Sequence, residues 1–376
     1  MKHDRFQVQI DGTEVDDLYR DLVNLDVELD DQLAAMFRIT VTLLPRPDGS
    51  WPYLDDDRFS LWRRVVITAA LDGDAVQLIA GYITHLRPEF GVGLEECRLD
   101  IWGMDATVLM DRADRLKDWP NKKDSDVAAE IFDSYGLTPR VTATEVIHDE
   151  NVSTIIQRET DIQLLRRLAL RNGFECFVDG DTGYFGAPQM DSSPQPVLSV
   201  LFGGATTVNR FSLEVNALTP SDVTMCQRDH ASGDLLNVTA AQGNQPSLGA
   251  EPPSSYLPAG MEPGLVRIGR TVTTGNAEMS ALCRGLFDQG TWFVTAQGEV
   301  AANEYGHILT PRRTVTIKGI GEAHSGVYYV THVTHRFTFD GYTQAFRVKR
   351  NALMPNGKET FASASDTLLD AVAGGV

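Results

Sequence analysis

Two stretches of closely similar sequence decide the fold: Tyr82-Ile83-Thr84-His85-Leu86 and Tyr329-Val330-Thr331-His332-Val333. Apolar and polar residues alternate in both, which is the pattern of a β-strand with one buried face. The same offset of 247 residues places Phe90 on Phe337, Leu99 on Phe346 and Ile101 on Val348. Because a slip of one residue turns a strand's side chains to the other face, the preserved apolar phase favours two copies of one β-domain. The alternative is two unrelated hairpins that follow the same alternation.

Working outward from the first stretch, residues 1–115 are predicted to be an antiparallel β-domain of six or seven strands. Asp11-Gly12 and Asp72-Gly73 supply turn signals between strands. The alternating runs are Phe6 to Ile10, Leu25 to Leu29, Phe37 to Leu43, Val65 to Leu71, Leu78 to Leu86 and Cys97 to Ile101.

Residues 116–200 form a predicted α+β middle domain. One helix follows Ser125 and stops at Gly136. A second begins at Thr160, where Thr160 and Gln163 match a capping box, and ends at Asn172-Gly173. A short hairpin around Asp179-Gly180-Asp181 follows.

Residues 201–350 return to strands and carry the second stretch. A long loop is predicted over 231–264, because its later part holds five prolines. One helix is predicted from the spacing of Met279, Leu282, Cys283, Leu286 and Phe287. Residues 351–376 are predicted to be a C-terminal tail with a short helix near Thr367–Val372. The predicted fold class is therefore mainly β (α+β): two related β-domains with a small α+β domain between them.

The charge balance excludes one class of function. The 376 residues include 52 acidic and 33 basic ones, a formal net charge of −19. Wrapping nucleic acid needs clustered Lys and Arg, so specific nucleic-acid binding is not expected. The acidity suits either simple solubility or an acidic channel past which anionic cargo slides, and composition leaves both open. With no apolar signal core at the N-terminus and no apolar run of about 18 residues, we expect synthesis in the cytoplasm and no membrane insertion.

Motifs for cofactors and metals are weak, so no cofactor, metal or catalytic residue is predicted. Gly319-Ile320-Gly321 lacks the third glycine of a dinucleotide fingerprint. His332 and His335 are three residues apart, which on a strand places them on opposite faces. The four cysteines have no zinc spacing.

Two acidic runs have simpler interpretations than cation sites. Asp55-Asp56-Asp57 is expected to be a solvated loop between strands. Asp179 to Gly183 mimics the start of a calcium loop, but Met190 stands where that loop needs Glu, so a hairpin turn is predicted.

Taken together, the sequence resembles the phage late-control D proteins, the baseplate hub family that includes the hub half of VgrG spikes. Four stretches in family order carry the resemblance: residues 81–105, 157–174, 277–311 and 326–351. One departure is Pro311-Arg312, where the family often has Pro-Gly.

The resemblance implies a trimeric hub with two tube-type β-barrel domains per chain, docked under the last tube ring of a phage tail or injection-system particle, without catalytic residues. The implied partners are two further copies of the chain, the inner tube protein, a separate spike protein and other baseplate proteins. Phe361, Leu368 and Leu369 in the tail are the candidate spike-docking residues. Three chains with two similar domains each would present six modules, as an adaptor from a sixfold tube to a threefold spike requires.

Two alternatives belong to other classes. A tail-associated enzyme that degrades cell-wall polymer would need a concave site with paired carboxylates. A receptor-binding or adhesin module would expose grooves at loop tips such as 231–264.

Overall fold

The computed structural model describes residues 5–71, 73–218, 222–229 and 232–362, and the chain is mainly β. The predicted strands of the first region are confirmed. Its elements are β1 (Phe6–Ile10), β2 (Thr13–Glu14), α1 (Leu18–Asp21), β3 (Leu22–Asp30), β4 (Met36–Thr42), β5 (Arg64–Leu71), β6 (Asp74–Glu89), β7 (Arg98–Asp105) and α2 (Thr107–Met110).

The middle region has its two predicted helices and its hairpin. Its elements are β8 (Arg115–Trp119), β9 (Lys122–Lys123), α3 (Asp124–Ser134), β10 (Thr138–Val141), β11 (Ile147–His148), β12 (Ile155–Glu159), α4 (Asp161–Asn172), β13 (Glu175–Asp179) and β14 (Thr182–Gly186). Thr160 caps α4 by accepting a hydrogen bond from the Gln163 backbone N–H. The reciprocal half of the capping box is wrong, because the Gln163 side chain turns to Asp111 instead.

The last region mixes long strands with one long helix. Its elements are β15 (Gln195–Ser199), β16 (Val208–Val215), β17 (Asp222–Arg228), β18 (Leu235–Ala240), β19 (Leu265–Ile268), α5 (Asn276–Gly290), β20 (Val294–Ala301), α6 (Ala302–Tyr305), β21 (Thr314–Lys318), β22 (Gly326–Thr338) and β23 (Gly341–Arg350).

Two expectations for this region need correction. The predicted loop 231–264 contains strand β18, because its proline-rich composition begins only after residue 240 and the preceding alternating run is free to pair with β17. Strand β15 precedes the predicted boundary at residue 201, yet it pairs with β21 of the last region.

One thirteen-stranded sheet runs through the first and last regions. Its main path is β16-β20-β23-β22-β3-β4-β7-β6-β5-β1-β2, and β21 and β15 branch from β22. Three small sheets belong to the middle region, and β18-β17-β19 forms a separate layer that packs against α5. The two halves of the large sheet are joined where β22 pairs with β3.

The strand order of the first half recurs in the second. The order β3-β4-β7-β6-β5 has the same chain sequence as β16-β20-β23-β22-β21. Each half also has a bulge at the same place, between Ile83 and His85 in β6 and between Val330 and His332 in β22. These two bulges are 247 residues apart, the offset of the repeated sequence.

The offset changes to 245 in the following strand, which corrects the alignment made from the sequence. Ile101 lies opposite Leu86, and Phe346 lies opposite Val333, so Ile101 corresponds to Phe346 rather than to Val348. By the same pairing Leu99 corresponds to Gln344. The connection from β22 to β23 is shorter, and a difference of two residues preserves the inward and outward alternation, which hid the change.

Each part of the chain has its own apolar core. The first core includes Phe337 and Tyr342 from the last region, whose stacked rings lie 4.1 Å apart beside the β3 junction. The second core lies between the strands of the last region, and a third holds the middle helices against their hairpin. The junction between the halves is therefore packed on its apolar face as well as hydrogen-bonded.

Candidate interaction site

Two sheet edges are the surfaces most suited to binding another chain. Within the described residues, β16 pairs with β20 on one side only. Its outward-pointing residues are exposed, among them Arg210, Ser212 and Glu214, and Val215 at its end is 42% exposed. An edge of this kind offers backbone N–H and C=O groups to another strand.

The second edge is the C-terminal part of β6. Its pairing with β5 ends at Tyr82, while its pairing with β7 continues to Glu89. From His85 onward the other side of β6 therefore has no partner strand in the part of the chain that the structure describes. Arg87 and Glu89 form a 2.8 Å ion pair on this exposed segment, and Phe90 just beyond it is 57% exposed.

A buried polar cluster holds the middle region against the large sheet. The Tyr329 hydroxyl donates to both oxygens of Glu175 at 2.8 Å. Burial raises the pKa of Glu175 to about 7, although the nearby Lys349 ammonium opposes the rise. Lys349 itself donates to Asp31 at 2.9 Å and lies over the Trp292 ring at 4.7 Å. These contacts connect β13, β22, β23 and the loop after β3.

Arg312, in the loop before β21, contacts both β13 of the middle region and the end of β3. Its guanidinium lies 3.7 Å from the centre of the Phe177 ring and donates to the backbone oxygen of Asp30. Its φ of +63° is in the left-handed region that glycine adopts most easily. Arg312, which stands where the resembled family often has glycine, therefore keeps the turn that glycine would make. Its side chain adds contacts across the junction.

A second buried cluster joins α3 and α4 to α5. Asp124 accepts from His148 at 3.0 Å and from the Arg171 Nε at 2.7 Å, and Arg171 also reaches Glu278 at 3.2 Å. Burial by itself would raise the pKa of Asp124, but the hydrogen bonds from His148 and Arg171 outweigh it and hold the pKa at about 2. The carboxylates of this cluster are committed to an internal joint between elements.

The acidic runs are used in local structure. Asp56 caps a 3₁₀ turn at Asp57–Phe59, and Arg58 bridges Asp56 and Asp17 at 2.7 Å each. Asp181 in the β13–β14 turn pairs with Arg64 at 2.7 Å. His332 pairs with Asp30 at the junction, whereas His335 is fully buried and bonds the Tyr342 hydroxyl at 2.8 Å, so the two histidines do face opposite sides.

Among the described residues, no three His, Cys, Asp or Glu side chains converge as metal ligands would. Across the same residues, no helix is both long and apolar enough to cross a bilayer.

The predicted spike-docking residues are only partly placed. Phe361 is half-buried, and its backbone oxygen accepts from the Lys318 ammonium at 3.0 Å. Leu368 and Leu369 lie outside the described residues. The chain leading to Phe361 is part of the fold, since Leu353 is buried and pairs with Glu251.

The exposed edges of β16 and β6 were not identified from the sequence. The repeat did indicate the edge of β6, because β6 matches β22, and β22 pairs with β3 along the side that β6 leaves exposed.

Comparison with known proteins gives a family and a fold. The sequence matches the family model described as the Alg8 N-terminal domain over residues 2–338. No curated protein matches the sequence.

Solved structures share the fold at low sequence identity. A tail protein from Neisseria meningitidis has 15% identity and a TM-score of 0.64, covering 93% of this chain and 97% of that one. The 43 kDa tail protein of prophage MuSo2 from Shewanella oneidensis has 12% identity and a TM-score of 0.63, covering 93% and 99%. A chain of the Francisella PdpA-VgrG complex has 8% identity and a TM-score of 0.52, covering 95% of this chain and 54% of that chain.

Proposed function

The chain belongs to the Alg8 N-terminal domain family, and from this premise and the fold it shares with tail proteins we propose that it is a structural part of a contractile phage tail or a phage-like injection system. Within such a particle its role would be that of a baseplate hub of the late-control D type. Three copies would form a ring that joins a sixfold inner tube to a threefold spike. The role is mechanical and needs no catalytic residue or cofactor.

The observation that carries this proposal is the repeated strand order in the two halves of the large sheet. The halves have the same order, the same bulge position and one shared sheet. We interpret them as two copies of one tube-type, barrel-like β-domain. A ring of three such chains would offer six similar modules to a tube and three identical faces to a spike.

The proposed partners are those that the resemblance to baseplate hubs implies. They are two further copies of this chain, the inner tube protein, a separate spike protein and other baseplate proteins. The tail with Phe361, Leu368 and Leu369 remains the proposed spike-docking segment. The protein would be made in the cytoplasm and enter the particle by assembly.

The test is the mass and shape of the purified full-length protein. Light scattering should give three times 41.4 kDa, and negative-stain images should show a threefold ring with six lobes. A chain that stays monomeric at every concentration, and also when mixed with its spike and tube proteins, would rule out the hub.

A further inference from the structure

Resting on the proposed ring, we propose that its copies are joined by one specific seam between two sheet edges. Strand β16 of one copy pairs antiparallel with residues 85–90 of the next copy, and this seam repeats the pairing of β3 with β22 inside each chain. The occupant of each exposed edge is thus a second copy of this chain.

The internal junction supplies the template. Residues 332–338 of β22 pair antiparallel with residues 24–30 of β3. Val333 lies opposite Leu29, His335 opposite Val27, and Phe337 opposite Leu25. Thr334 and Arg336 on the other face lie opposite Glu28 and Asp26, and Arg336 bonds Asp26 at 2.8 Å.

The repeat makes β6 equivalent to β22, through the two bulges. Strand β22 is covered on its outer side by β3 from residue 332 onward, while the equivalent segment of β6, from His85 onward, has no such cover among the described residues. The effect on side chains is large: Phe337 is 1% exposed, and Phe90, at the same offset, is 57% exposed. Phe90 is exposed at the position where a β3-like strand is missing.

The repeat also makes β16 equivalent to β3, residue by residue. In the first half, Val27 pairs with Phe37, and Phe37 pairs with Gly103 on the next strand. In the second half, Leu213 pairs with Ala296, and Ala296 pairs with Val348. Gly103 and Val348 correspond because they pair with Ile83 and Val330, which match at the bulges.

Transferring the internal register then fixes the seam. It places Leu86 opposite Val215, Arg87 opposite Glu214, Pro88 opposite Leu213, and Phe90 opposite Phe211. Because strand alternation is kept, all the apolar members fall on the face that the cores occupy. The register is therefore consistent on both faces of the sheet.

Charge complementarity supports this register independently. Arg87 meets Glu214 directly, and Glu89, opposite Ser212, has Arg210 and Glu214 as its two diagonal neighbours on the same face. Directly opposite residues on paired strands have Cβ atoms about 4.5–5.5 Å apart, close enough for opposite charges to attract and like charges to repel. Pairing would also cover the exposed apolar groups of Phe90 and Val215.

Pro88 limits what else can bind this edge. Proline lacks a backbone N–H, so the seam has one ladder hydrogen bond fewer than the internal junction. Proline on an edge strand is also a known barrier to pairing with arbitrary strands. Selectivity would therefore come from the side chains, as the charge pairs suggest.

The first experiment exchanges the charges of the central pair. We expect Arg87→Glu and Glu214→Arg each to weaken ring formation on the order of tenfold per seam, because like charges then face each other. The double variant R87E/E214R should recover most of the association. Arg158→Glu, at an exposed position on β12, whose only partner strand among the described residues is β8 of the middle region, is the matched control. Failure of the double variant to recover, after both single variants weaken, would overturn the pairing of these two residues.

The second experiment tests the register covalently. In a Cys226→Ser background, Arg87→Cys with Glu214→Cys should form intermolecular disulfides under mild oxidation and give linked dimers and closed trimers. Arg87→Cys with Arg210→Cys places the second thiol four residues away and should link poorly.

The outcomes separate this seam from the proposed function. A threefold ring with no cross-link overturns the seam and leaves the hub standing. A monomer at every concentration, with tube and spike present, overturns both. A monomer whose β16 amides are nevertheless protected from hydrogen exchange would assign that edge to another segment of the same chain, and it would also overturn the seam.

Discussion

Glu175 is a carboxyl group held away from water, and burial favours its protonated form. Burial raises its pKa from 4.5 to about 7. Between these two values the folded chain keeps a proton that the unfolded chain has released, so the free energy of unfolding should fall as pH rises from about 4.5 to about 7. Glu175→Gln imitates the protonated acid and should remove this loss, giving a gain of roughly 3 kcal/mol over the natural protein at pH 8 and little gain at pH 4.5.

Chemical denaturation at several pH values measures this difference. Glu145→Gln, at an exposed position in the same region, is the control and should change stability equally little at each pH. A gain from Glu175→Gln that does not grow with pH would show that the buried group is ionised in the folded protein.

Arg312 combines a strained backbone with favourable side-chain contacts, and two substitutions separate these effects. Arg312→Ala loses the contact with Phe177 and the bond to Asp30 but keeps the left-handed φ. Arg312→Gly loses the same contacts but removes the strain. We expect both to be less stable than the natural protein, with Ala about 1 kcal/mol below Gly in denaturant unfolding. Equal stability of the two variants would contradict the strain at this residue.

At the scale of elements, helix α5 is held to α4 by a close approach of two glycines. A Cβ added to Gly285 would lie 2.7 Å from the Gly173 nitrogen and 3.0 Å from the Arg171 oxygen. Backbone atoms cannot step aside, so Gly285→Ala should cost about 1–2 kcal/mol despite the helix propensity that alanine gains. The change should also speed hydrogen exchange in β17–β19, the layer packed on α5.

Gly269→Ala, just after β19, is the control for this substitution, because no atom lies within 4 Å of its added Cβ. It should leave both the unfolding free energy and the exchange rates nearly unchanged. If Gly285→Ala behaves like Gly269→Ala, the two helices can separate without cost.

Elements were predicted well where one local signal dominated. The alternation of β1 and of β3 to β7, the Thr160 cap and the Gly173 stop each follow from a few neighbouring residues. Strand β18 was missed because it stands beside a proline-rich run. The alignment of Ile101 with Val348 was wrong because a difference of two residues leaves the alternation intact, and only the pairing of strands reveals it.

The candidate site was harder to predict for a related reason. A strand has an exposed edge when no other strand pairs with it on one side. The strand's own residues do not show whether such a partner is present. The exposed Phe90 and the buried Phe337 match in the sequence, and β3 pairs beside Phe337 only. The buried clusters around Glu175 and Asp124 join residues far apart in the chain, so spacing gave no hint of them.

At the scale of the whole molecule, the net charge of −19 should oppose assembly. The Debye length is about 30 Å at 0.01 M salt and about 8 Å at 0.15 M, so salt screens this long-range repulsion before it screens close pairs. We expect the three-chain ring to form about tenfold more tightly at 0.15 M NaCl than at 0.01 M, with no further gain at 1 M, where the Arg87–Glu214 contact is screened too.

Sedimentation equilibrium across the salt series measures this, with an uncharged sugar at matched osmolality as the control. Association that weakens steadily from the lowest salt would mean that local attraction outweighs the overall repulsion.

The ladder between β22 and β3 also has a directional consequence for a part that transmits force. Its seven residue pairs lie side by side along one line. Tension parallel to the strands would load all of these backbone hydrogen bonds together, in shear. Tension perpendicular to the strands would break the hydrogen bonds one after another, starting from one end of the ladder. We therefore expect the two halves to withstand a pull along the strands far better than a peeling motion, so that the orientation of this ladder in a particle would decide how large a load the chain can carry.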